Sequence, residues 1–103
     1  MLEGLNMSVY FIVNVNMKDA ETYNKYLDEC DPVFEKYNGK YLAVDNKYMQ
    51  IEGESKYTKI ILIEFKSENE FNEWYYSEEY QRILKYRLSG SDCDSILLHG
   101  KIE

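Results

Sequence analysis

The run from Tyr57 to Gly90, YTKIILIEFKSENEFNEWYYSEEYQRILKYRLSG, constrains this chain more than any other stretch. It opens on a strand that is apolar on both faces and passes directly into two capped helical segments. Successive strand residues point to opposite faces, so Ile61, Ile63 and Phe65 face one way and Ile60 and Leu62 the other. Both sets are buried only if helices cover one sheet face and something equally apolar covers the second. A chain of 103 residues is expected to borrow that second cover from another copy of itself.

Length and a hydrophobic content of 45% suit one compact domain with little room for a deep private pocket. The 19 acidic and 12 basic residues leave a net charge of -7, which repels phosphate backbones and anionic headgroups. Neither nucleic acid nor membrane is an expected partner. No apolar run approaches the ~20 residues a bilayer requires, and MLEGLNMSVYFIV lacks the basic region and cleavage site of a secretory leader. Cytoplasmic residence is therefore expected. Residues 1–7 read as an N-terminal extension and 8–103 as the single domain. Cys30 and Cys93 read as two buried thiols rather than a disulfide or redox pair. With 11 tyrosines among its 16% aromatic residues, the chain is rich in side chains that fill volume and carry a hydroxyl at the tip.

Val9, Phe11, Val13 and Val15 alternate with Tyr10, Ile12 and Asn14, which predicts a first strand. Asp19 can cap the helix that follows, whose inner stripe is Tyr23, Tyr26, Leu27, Cys30, Phe34 and Tyr37. Pro32 predicts a kink near Asp31, and Asn38-Gly39 a left-handed stop. Lys40–Val44 and Tyr48–Glu52 read as a hairpin around Asp45-Asn46-Lys47. Ser67-Glu68-Asn69-Glu70 forms a capping box, with Phe71, Trp74 and Tyr75 inward. Ser77 starts a further segment with Tyr80, Ile83, Leu84 and Leu88 inward, stopped by Gly90, and Asp94–Leu98 is the last strand.

This order predicts an α+β, ferredoxin-like βαββαβ sandwich: a four-stranded antiparallel sheet with its helices on one face. Tyr10, Ile12, Ile60 and Leu62 would then lie on the open face, and an apolar patch of that size marks an interface. Two sheets paired about a twofold axis are the simplest closure.

The segments YFIVNVNMKDAETYNKY, DPVFEKYNGKYL, IILIEFKSENEFNEWYYSEEYQRILKYR and SILLHG together resemble the domain of unknown function 1330 family over nearly the whole chain after Met7. The most specific run is Glu64-Phe65, Trp74-Tyr75, Ser77-Glu78-Glu79-Tyr80-Gln81 and Arg87, with Glu78 where the family often has proline. That family is similar to dimeric α+β barrel proteins, so the resemblance implies the fold and a homodimer. It supplies no catalytic residues. Related barrels include cofactor-free monooxygenases and isomerases, an analogy of fold alone.

Glu64 continues the Ile60, Leu62 face of an apolar strand, where a carboxylate is costly unless paired or protonated. It reads either as a general base or as a strand-end carboxylate paired with Arg87 or wetted at the barrel mouth. Arg87 lies in a helical inner stripe and can clamp a carboxylate ligand or serve an acidic side chain. His99, the sole histidine, is a candidate proton shuttle or a satisfied strand end, and it leaves too few histidines for a metal centre. Asn14 and Tyr10 can donate to a bound oxygen atom, or simply end a strand in polar groups. Trp74 and Tyr75 can wall an aromatic pocket or fill the core. No glycine-rich phosphate loop, GxSxG or CxxC is present, and no metal or cofactor is expected. The expected function is a small homodimer binding a small organic molecule between helices and sheet, with cofactor-independent proton-transfer or oxygenase-type chemistry open to it. The alternative is a non-catalytic assembly or stress-response protein.

Overall fold

The structure, a computed structural model, describes residues 7–101; apart from Met7, the expected extension lies outside the described residues. Strands β1 (Val9–Met17), β2 (Lys40–Asp45), β3 (Lys59–Phe65) and β4 (Ser91–His99) and helices α1 (Ala20–Phe34), α2 (Glu68–Tyr75) and α3 (Glu78–Gly90) follow in the order β1-α1-β2-β3-α2-α3-β4. The strands form one sheet ordered β2-β3-β1-β4, antiparallel throughout. This is the α+β, ferredoxin-like arrangement expected from the sequence.

Alternation does the sorting. Val9, Phe11, Val13 and Val15 of β1 and Ile61, Ile63 and Phe65 of β3 are buried under the helices. Burying a side chain such as Phe65 completely stabilises the fold by about 1.5–3 kcal/mol. The intervening Tyr10, Ile12, Ile60 and Leu62 are half-buried on the open face, aligned across the sheet with Leu98 and Ile96 of β4, which are exposed.

All three helices begin at the expected caps. Asp19 accepts from the Thr22 N–H at 3.3 Å, Ser67 from the Glu70 N–H at 3.1 Å and Ser77 from the Tyr80 N–H at 3.1 Å. The box at Ser67 is only half made, because Glu70 Oε1 is buried without a partner. Pro32 stands inside α1, which ends at Phe34, before Asn38-Gly39.

Several expectations are corrected. Gly39 has no positive φ; its role is space, since a Cβ there would come within 2.7 Å of the Phe34 and Phe65 rings. Tyr48–Glu52 is not a strand. Met49 and Ile51 are both 80% exposed, and the Tyr48 hydroxyl instead donates within the connection to β3, to Ser55 Oγ at 2.9 Å or to the Tyr57 carbonyl. With neither face buried, alternation there lacks the energy that sets a strand. On α3 the residue one turn beyond Ile83 and Leu84 that turns inward is Arg87, while Leu88 is 54% exposed. Cys93 is only half-buried, and Leu27 is exposed.

The α3–β4 junction is tight. The Gly90 carbonyl accepts from the N–H groups of Lys18 and Asp19 at 2.9 and 3.0 Å, and a Cβ on Gly90 would lie 2.8 Å from the Tyr23 backbone nitrogen. Backbone cannot rotate away as a side chain can. Gly90→Ala is therefore expected to cost about 1–3 kcal/mol, as overpacking does, and to lower the urea midpoint without altering the m-value; an unchanged midpoint would show that the junction relaxes freely.

Candidate functional site

Between the helices and the sheet lies a cavity of about 430 Å³, within the range of about 300–1,000 Å³ common to small-molecule sites. Its floor is the helix-facing side of β1 and β3, Phe11, Val13, Ile61 and Ile63. The inner stripe of α1 contributes Tyr23, Tyr26 and Cys30, α2 contributes Trp74, and α3 contributes Tyr80 and Arg87. Leu27 and Asp31, one turn apart on α1, and Val44 of β2 also line it and are exposed. These three frame the mouth.

Arg87 is the unusual member, 2% exposed and paired with no carboxylate among the described residues. Its Nη1 donates to Cys93 Sγ at 3.3 Å, its guanidinium carbon lies 5.7 Å from the centre of the Tyr26 ring, and its Nε has no partner. A cation over a ring face is partly compensated, yet a buried charge without a counterion is costly. Lys59 adds a second cation beside the cavity, its Nζ 5.5 Å from the centre of the Tyr23 ring.

The phenols and the thiol in the wall are held protonated. Burial pushes the Tyr23 hydroxyl up to about 12 against the opposing pull of Arg87. Burial, then the adjoining Tyr80, raises Tyr26 well above the phenol range, and burial raises Tyr80. Burial and the Asp31 carboxylate push the Cys30 thiol up to about 11. Tyr26 and Tyr80 share a hydrogen bond of 2.6 Å, whereas the Tyr23 hydroxyl and Trp74 Nε1 are buried without partners.

Of the residues singled out in the sequence, the cavity brings together only Trp74 and Arg87. Tyr75 is half-buried beside them, stacked on Phe71 at 5.3 Å. Tyr10, Asn14 and Glu64 lie on the open sheet face, where the Tyr10 hydroxyl reaches Glu64 Oε2 at 3.4 Å. Arg87, under the helices, is therefore not the partner of Glu64. His99 sits at the end of β4 and meets Glu68 at 3.0 Å with both side chains exposed. Tyr23, Tyr26, Tyr80, Cys30 and Lys59 were not singled out as site residues; the available signal was a charged residue on an inner stripe facing tyrosines on another.

Two measurements test this wall. Tyr80→Phe strips Tyr26 of its buried partner and is expected to cost about 1–3 kcal/mol, whereas Tyr23→Phe removes an unpartnered hydroxyl and is expected to be neutral or stabilising in urea denaturation. Cys30 and Tyr23 also ionise later in the folded chain than at their ordinary values of 9.0 and 10.0. Between about pH 9 and 12 the folded state thus binds more protons than the unfolded one, so their contribution is intact below pH 9 and is lost as pH rises through that window. Cys30→Ala is expected to flatten the alkaline fall in urea midpoint at its lower end.

The family model described as domain of unknown function (DUF1330) matches residues 8–101. Among curated proteins, none matches the chain by sequence. RPA0582, a protein of unknown function from Rhodopseudomonas palustris, is 20% identical and superposes with a TM-score of 0.75, covering 90% of this chain and 82% of its own. A dimeric ferredoxin-like protein of unknown function from Thermobifida fusca is 13% identical with a TM-score of 0.59, covering 95% of each chain. SnoaB, a cofactor-independent oxygenase from Streptomyces nogalater, is 7% identical with a TM-score of 0.58 and 94% of each chain covered. At these identities the solved structures share the fold alone. With its family model spanning nearly the full length, the chain belongs to the DUF1330 family.

Proposed function

We propose that this chain is a small cytosolic homodimer that binds a small organic molecule in the cavity between helices and sheet. The observation that carries the reading is the cavity itself, about 430 Å³ with an aromatic wall and a buried guanidinium. A concave site of that volume, mostly apolar with a few convergent polar groups, is the form that small-molecule sites take. No cofactor is part of the proposal. Oxygenase-type or proton-transfer chemistry enters only through the fold shared with SnoaB. Glu64, Tyr10 and Asn14 lie on the face opposite the cavity, so chemistry that used them would take place between paired sheets. Within the cavity the phenols and the thiol stay protonated at neutral pH, which suits binding better than base catalysis.

Dimerisation is supported by the open sheet face, where Ala43, Leu62, Ile12 and Ile96 form an apolar row across all four strands. Left in water, such a row is a liability that a second copy removes. The relative described as dimeric supports the same assembly.

Thermal-shift screening against a metabolite panel tests the binding reading. A ligand at about 100 times its Kd adds roughly 2.7 kcal/mol, which raises the Tm of a chain this size by about 10 °C or more. If no compound stabilises the protein, the reading is abandoned. Sedimentation tests the assembly: a dimer is expected at micromolar concentration, and Leu62→Glu is expected to run as a folded monomer. A monomeric unaltered protein would refute it.

A further inference from the structure

Three of the four buried side-chain polar atoms that lack a partner among the described residues belong to cavity-lining residues: Tyr23 Oη, Trp74 Nε1 and Arg87 Nε. All three can donate, and two of them can only donate. A protein normally satisfies its buried polar atoms; these three have almost no accessible surface even toward the cavity, so what would complete them is an acceptor admitted by a small side-chain shift. Because one of the donors is a guanidinium with no ion pair, that acceptor carries negative charge. The neutral phenols and thiol around it offer no second interior charge, and the other two charged lining residues, Lys59 and Asp31, are opposite in sign and sum to zero. The interior is therefore matched to a single anionic charge, while its floor is aliphatic and aromatic.

We propose that the cavity takes a small organic monocarboxylate with an apolar or aromatic body, its carboxylate paired with Arg87 and the Tyr23 hydroxyl and Trp74 indole N–H completing the donor set. This rests on the cavity-binding reading above and narrows it to a chemical class. Carboxylate recognition by a guanidinium is directional and charge-assisted. A site built to satisfy such a group discriminates strongly against an analogue that leaves its polar atoms unpaired.

Trp74 is the only tryptophan and lines the cavity, so its fluorescence reports occupancy directly. Phenylacetate and hexanoate would be titrated against their primary amides, with phenyl phosphate as a dianion of similar body. Either acid is expected to change Trp74 emission saturably and to bind at least roughly tenfold more tightly than its amide and than phenyl phosphate. Arg87→Met is expected to hold or raise the Tm of the ligand-free protein, because it removes an uncompensated buried charge, and to weaken the acid at least roughly tenfold while barely changing the amide. Should that variant fail to fold, the acid–amide comparison in the unaltered protein decides alone. Equal binding of acid and amide would overturn the carboxylate assignment and leave the cavity reading standing. Tightest binding by phenyl phosphate would overturn the single-charge argument. No response to either acid would overturn the inference, and the wider metabolite panel would then judge the cavity reading separately.

Discussion

The pairing of β1 with β3 decides both surfaces of this molecule. Phe11 opposite Ile63 and Val13 opposite Ile61 floor the cavity, while Ile12 opposite Leu62 and Tyr10 opposite Glu64 form the middle of the open face. A slip of one residue would exchange the two sets and place Tyr10 and Glu64 beneath the helices. The aliphatic and aromatic residues under the helices hold this register, because exchanging them for polar groups costs burial and desolvation together. The helices then need only present complementary stripes, and their caps at Asp19, Ser67 and Ser77 start each stripe in phase.

Much of this was legible in the sequence because it follows from local chemistry. Strand alternation in Val9–Val15 and Ile60–Phe65, the three N-caps and the inward faces of Tyr23, Tyr26, Trp74 and Tyr80 each depend on residues a few positions apart. What was not legible depends on tertiary space. Gly39 reads as a helix stop, but the rings of Phe34 and Phe65 account for it. Tyr48–Glu52 has strand-like alternation, but neither of its faces is covered. Arg87 reads as a partner for Glu64 until the sheet is seen to lie between them. The Tyr26–Tyr80 hydrogen bond joins residues 54 apart, so no spacing rule could bring those hydroxyls together.

The cavity inverts the electrostatics of its surroundings. The chain carries a net charge of -7, yet the charged groups lining the cavity are Arg87, Lys59 and Asp31. Arginine suits that interior position better than lysine. Its charge is delocalised and weakly hydrated, it lies over the Tyr26 ring, and it does not shed its proton when buried. A lysine there would relieve the desolvation cost by becoming neutral. A guanidinium keeps its charge whatever the burial, so the cavity retains one permanent electrostatic preference while every phenol around it remains a donor.

The floor and the mouth of the cavity differ in how firmly they are held. β1 and β3 are the two central strands, hydrogen-bonded on both edges, and in a face-to-face dimer their far side would be covered as well. The mouth lies where α1 faces β2, an edge strand exposed along its whole length, with Leu27, Asp31 and Val44 in water. Segments with few buried contacts open at the least free-energy cost, so a ligand would enter past α1 and β2 rather than through the sheet. Arg87 is buried and the mouth residues are exposed, so a carboxylate bound for the guanidinium would pass the rim ahead of its apolar body. Lys59 beside the cavity would lower the barrier to that passage and Asp31 would raise it. In the proposed site, access and recognition would thus reside in different elements: β2 and the outer face of α1 would govern entry, while Arg87 and the inner stripes would select what stays.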